Sequence, residues 1–136
     1  MTTFRVSTAD VAEFAAASGD VNPLHVDVAY ATKTNFGGPV VHGALVVLHT
    51  LGALPEGRLE PAIRRITARF HGAVVPGRDY DVVDGPGAET PLRLRVEDHG
   101  HRLADVTVET DPGRWARRHR SRGSDAPRPR SGGWRS

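Results

Sequence analysis

The chain has 136 residues, no cysteine and a formal net charge of +2. That length supports one hydrophobic core rather than two, and the lack of cysteine excludes disulfides, thiolate metal sites and a cysteine nucleophile. Eight arginines against Asp111 and Asp125 give residues 111–136 a balance of +6, so residues 1–110 carry −4. The folded body therefore has no excess of basic charge, and a nucleic-acid partner is not expected.

Residues 2–6 read as a first strand. Residues 7–18 read as a helix: Ser7 is placed to cap it, Asp10 stands at its third position as an acidic variant of the capping box, and Gly19 stops it. Val11, Phe14 and Ala15 give that helix one apolar stripe. Asp27 is placed to cap a second, short helix running to about Thr34, and the glycines and proline of residues 35–39 mark a loop. Residues 40–54 are apolar nearly all the way round, which predicts a helix buried on most sides, ended by Pro55 and Gly57. That stretch is too short and too often interrupted to cross a bilayer. The N-terminus lacks a basic segment followed by an apolar run, so a soluble cytoplasmic protein is expected.

After Pro61 the period changes to two. Ile66, Ala68 and Phe70 alternate with Arg65, Thr67 and Arg69; Leu92, Leu94 and Val96 alternate with Arg93, Arg95 and Glu97; Ala104, Val106 and Val108 continue the pattern. Residues 98–101 read as the turn of a hairpin, and residues 80–83 as a further strand. An antiparallel sheet with one dry face needs a cover, and only the apolar helix is large enough. The expected class is α+β, a curved antiparallel sheet wrapped around one helix, over residues 1–110. Residues 111–136, rich in Arg, Gly, Pro and Ser, read as a disordered tail. Two roles for it stay open, a solvated extension and a basic arm for an acidic partner.

The segment from Gly19 to His25 sets an acid (Asp20), an amide (Asn22) and an imidazole (His25) around a rigid Pro23. Two readings fit. Asp20 and Asn22 are able to form Asx turns that only shape the loop. They also make, with His25, a set of proton carriers suited to adding or removing water. His42 and Gly43 form a second candidate. Gly43 in a first helical turn leaves its N–H uncovered at the positive end of the helix dipole, where a developing oxyanion would dock. It is equally a packing gap. No carboxylate completes a metal-ligand spacing with His42 and His49, and no metal is expected. Arg64, Arg65 and Arg69 read as a solvated strand face, with the phosphates of a pantetheine-bearing carrier as the alternative role.

The run Gly19-Asp20-Val21-Asn22-Pro23-Leu24-His25, followed by Phe36-Gly37-Gly38-Pro39-Val40-Val41-His42-Gly43, resembles the MaoC-like (R)-specific enoyl-CoA hydratases of the hot-dog superfamily. The likeness covers about residues 4–110; Ala17 departs from it, since the family usually has a larger aliphatic residue there. The resemblance implies a hot-dog sheet around residues 41–54, a homodimer, an acyl-CoA or acyl carrier protein thioester substrate, and no cofactor. It also implies roles: Asp20 and His25 activate water, Asn22 orients it, and the Gly43 N–H binds the thioester carbonyl. Phe36, Val41, His42 and Gly43 would contact substrate. The implied reaction is hydration of trans-2-enoyl thioesters or the reverse dehydration. A thioesterase, a biosynthetic cyclase or eliminase on the same fold, and a non-catalytic acyl-binding subunit remain alternatives.

Overall fold

The computed structural model describes residues 2–56, 58–59, 63–85 and 91–111. The tail from residue 112, and the expected stop at Gly57 and break at Pro61, lie outside the described residues. Nine elements follow one another: β1 (Thr2–Arg5), α1 (Thr8–Ser18), α2 (Pro23–Val26), α3 (Val28–Thr32), α4 (Gly43–Gly52), β2 (Ile63–Phe70), β3 (Asp79–Asp84), β4 (Leu92–Asp98) and β5 (His101–Thr110). The strands form one antiparallel sheet in the order β1-β3-β4-β5-β2. The α+β class and the single antiparallel sheet match the expectation. Among the described residues no helix is long and apolar enough to cross a membrane.

Local chemistry accounts for most element ends. Ser7 and Asp10 close a reciprocal capping box at the start of α1, and Gly19 ends it at φ 77°. The same contacts from Ser7 hold the Asp10 carboxyl below the usual carboxylate range. The Asp27 side chain accepts from the Tyr30 N–H and starts α3, which stops at Thr32. His99 and Gly100 both have positive φ, 48° and 82°, as a two-residue type I′ hairpin turn between β4 and β5 requires.

One face of the sheet carries the core. Tyr80 and Val82 of β3, Leu92, Leu94 and Val96 of β4, and Ala104, Val106 and Val108 of β5 are buried with Val6, Val11, Val41, Leu45 and Val46. The Tyr80 hydroxyl satisfies itself by accepting from the Val75 N–H. Every second residue of these strands points inward, so the period-two reading holds.

Two expectations about this core need correction. The helix expected over residues 40–54 begins only at Gly43, because the Val40 and Val41 N–H groups are engaged by the carbonyls of Leu24 and Val74 and residues 40–42 stay extended. Nor is it buried on most sides: Leu45, Val46 and Thr50 face the core, while Ala44, Leu48 and Gly52 are exposed. On β2, Ile66, Ala68 and Phe70 do pair with the core residues Val108, Val106 and Ala104, yet Ile66 and Phe70 remain 42% and 46% exposed. β2 is an edge strand, and no described element lies over the outermost part of that face.

Candidate active site

The site is built on the connections between α1, α2 and α4. After Gly19 turns the chain out of α1, the Asp20 carboxylate accepts from the Asn22 N–H at 3.4 Å and the Asn22 side-chain oxygen accepts from the Leu24 N–H at 3.0 Å. These are two successive Asx turns, the second of which caps α2, with Pro23 in its first turn. The structural reading of this loop is therefore correct, and it does not compete with the chemical one. Those turns bring His25, on α2, back over the start of α4. The Asn22 oxygen makes the cap bond, and its amide N–H groups are available as donors.

His25 is half-buried, and its Nδ1 lies 2.7 Å from the Val40 carbonyl. A carbonyl only accepts, so Nδ1 carries the hydrogen and Nε2 keeps the lone pair. His42 is 1% exposed and its Nε2 lies 2.9 Å from the Asp20 backbone carbonyl, which assigns the opposite tautomer. The rings of His25 and His42 stack with centroids 3.8 Å apart, and Phe14 meets His42 edge-on at 4.8 Å. The structure thus gathers Asp20, His25 and His42, with one possible ligand atom from each lying within 4.8 Å of the others.

That cluster does not fit a metal. The two rings are tilted by only 28°, so their in-plane lone pairs run side by side instead of converging at ~2.0–2.1 Å from a common ion. Each ring also has one nitrogen engaged by a backbone carbonyl. A base with a free imidazole nitrogen beside a carboxylate is the chemistry the geometry favours.

A cleft of about 480 Å³ opens next to His25. His25 sits in its wall with Val26, Val28, Phe36 and Pro39 from the following segments, with Val11 and Ala12 from α1, and with Val75 and Pro76. Its size and its mainly apolar lining, with one imidazole, suit a small acyl group. Of the expected substrate contacts, Phe36 lines this cleft. Val41 is instead a core residue whose N–H donates to the Val74 carbonyl. His42 lies buried beneath His25 and is the N-cap of α4, not a residue of its first turn.

Gly43 is the first residue of α4, and the first N–H of the segment bonded back to a helical carbonyl is that of Val46. The Gly43 N–H thus has no partner among the described residues. A side chain here would meet the Phe70 ring at 3.0 Å, so the glycine is also a packing gap. The packing reading of this glycine is thus observed, and its unpartnered N–H is compatible with the other.

A model of the MaoC-like domain matches residues 2–83. The chain belongs to the MaoC-like domain family. Over 52 residues this MaoC-like domain is 55% identical to an (R)-specific enoyl-CoA hydratase of Aeromonas caviae; that alignment spans 38% of the chain and 39% of the relative. The solved structure of the (R)-hydratase from A. caviae involved in PHA biosynthesis superposes with a TM-score of 0.62 at 28% identity, covering 78% of the chain and 87% of that structure. R-hydratase PhaJ1 from Pseudomonas aeruginosa gives 0.63 at 31% identity over 79% and 74%. The hot-dog fold expected from sequence is thus shown.

Sequence reasoning missed the cleft residues of the MaoC-like domain from α1 and from residues 75–76. The only signal was the apolar stripe of α1 at Val11, which reads equally as core. It also missed the His42–Asp20 contact, for which 22 residues of separation leave no local pattern.

Proposed function

We propose that the protein adds water reversibly across the double bond of trans-2-enoyl thioesters, with acyl-CoA as the substrate class. The observation that carries this reading is the tautomer of His25. Its Nδ1–H is held by the Val40 carbonyl, so Nε2 is the nitrogen left to act as a base; His25 stands in the wall of an apolar cleft and in one cluster with the Asp20 carboxylate. In this scheme Nε2 takes a proton from water while the water oxygen bonds to the β-carbon. The carbon–carbon π electrons move toward the thioester carbonyl, where the Gly43 N–H at the start of α4 receives the negative charge. The proton then returns to the α-carbon, and only water is consumed. Asp20 holds the water and stabilises the imidazolium; Asn22 orients through its amide N–H groups. No cofactor takes part. The hydratase relatives in A. caviae and P. aeruginosa support the reading.

A homodimer is part of the proposal. Among the described residues β2 leaves its ladder edge open and the apolar side chains of Ile63, Ile66 and Phe70 exposed, as an edge awaiting a second copy would.

Mixing the protein with crotonyl-CoA should lower the enoyl absorbance to an equilibrium level. Asp20→Asn and His25→Ala should each slow that reaction by at least about 10²-fold, in line with the value of general acid–base assistance, with unchanged circular dichroism. Wild-type rates in both variants would sink the assignment.

A further inference from the structure

We propose that His42 is a positioning residue, a buried bracket that fixes the distance between Asp20 and His25 without touching substrate. The inference rests on the hydration reading for its kinetic test, but its structural content stands separately.

Three observations carry it. His42 occupies the N-cap of α4 yet makes no side-chain capping bond, at a position where Ser, Thr, Asp or Asn would stabilise the helix. Capping therefore does not explain the histidine. Second, the imidazole is buried in spite of the cost of desolvating a polar ring, and its one protein hydrogen bond is made to the backbone carbonyl of Asp20. Its Nδ1 is buried with no protein partner among the described residues, so this ring is kept at a cost that a Phe or Leu would avoid. Third, the face of the same ring stacks on His25, and its other flank is closed by Phe14.

One rigid group thus contacts the backbone of the proposed acid and the ring of the proposed base. Asp20 is exposed, and its loop is anchored at its ends by Gly19 N–H on the Ala15 carbonyl and by Val40 N–H on the Leu24 carbonyl, while residues 20–23 are otherwise held by local bonds within residues 18–27. Remove the Nε2–H donor and residues 20–23 lose the one hydrogen bond that, among the described residues, ties them to a group outside residues 18–27. His25 keeps its own anchor to Val40, so the expected result is a change in the Asp20–His25 separation and not the loss of either group. Misplacement of a catalytic group by about 1 Å costs on the order of 10²-fold in rate. His42 is buried to 1% exposure and cannot touch a bound substrate, so substrate affinity should be spared.

The test compares His42→Phe, which keeps the ring volume and the stack but has no donor, with His42→Gln, whose amide N–H reaches about as far as Nε2. With crotonyl-CoA, His42→Phe should lower kcat about 10²-fold with little change in KM, while His42→Gln should retain kcat to within about tenfold. Hydrogen exchange followed by mass spectrometry should show residues 18–24 exchanging faster in His42→Phe, with residues 43–52 unchanged. This readout needs no turnover, so it distinguishes failure of the bracket from failure of the hydration reading. If His42→Phe does not fold, His42→Asn takes its place, since its shorter amide stops near Nδ1. Equal kcat in the donor-lacking and donor-keeping variants, a raised KM at unchanged kcat, or unchanged exchange in the loop would each overturn the proposal.

Discussion

The two edges of the sheet are finished differently. β1 is four residues long, Phe4 on its inner side is buried against Tyr80 and His49, and Arg5 makes a two-pronged ion pair with Asp79 on the outer side. β2 is eight residues long, has no buried residue, and carries Ile63, Ile66 and Phe70 half-exposed. A short, charged edge resists pairing with another chain, whereas a long edge with an uncovered apolar side invites it. Among the described residues the core is complete at β1 and incomplete at β2. Because Phe70 also packs on Gly43, the unfinished edge borders the proposed oxyanion site. The proposed dimer would therefore close the core and the active site together.

Four substitutions test that contrast. Phe4→Ala should cost about 3–5 kcal/mol in urea unfolding, as expected for emptying a well-packed aromatic site. A loss no greater than that from Phe70→Ala at the same dilute protein concentration would erase the distinction between the edges. Ile66→Arg should weaken self-association by at least about tenfold, or about 1.4 kcal/mol, in sedimentation equilibrium. A wild-type chain that sediments as a monomer at every concentration, or a variant that associates as tightly, would count against the dimer. Arg5→Ala should have the smallest effect, because the ion pair is solvent-exposed. Arg5 holds the Asp79 carboxyl below its ordinary range, so what stability the pair contributes is present at neutral pH and is lost as the pH falls through that lowered value. Urea midpoints of the wild type and Arg5→Ala should accordingly converge in acid; a gap that widens there would contradict the sign.

Much of the fold was legible in the sequence where the cause is local. The Ser7–Asp10 box, the Gly19 stop, the Asp27 cap and the His99–Gly100 turn each depend on residues a few positions apart, and each occurs as read. The inward faces of β3, β4 and β5 followed from alternation. What was misread depends on distant partners. Val40 and Val41 look like the start of a helix until Leu24 and Val74 take their N–H groups. Ile66 and Phe70 look like core until the strand order places them at an edge. Within the site, Asp20, Asn22 and His25 stood out by residue type and by family resemblance, and the choice between turn former and proton carrier dissolved because the Asx turns use main-chain N–H groups and leave the imidazole free.

By itself the sequence determined the class of the fold, its family and the chemical groups at hand, because periodicity, caps and motif spacing are properties of short stretches of chain. Only the tertiary structure decided how those groups are arranged: which nitrogen of His25 meets a carbonyl, that His42 reaches across 22 residues to Asp20, and that β2 is left uncovered among the described residues. Each of these is settled by a contact between segments far apart in the chain, where a carbonyl, a ring face or an unpaired edge is supplied by a residue that no local pattern names.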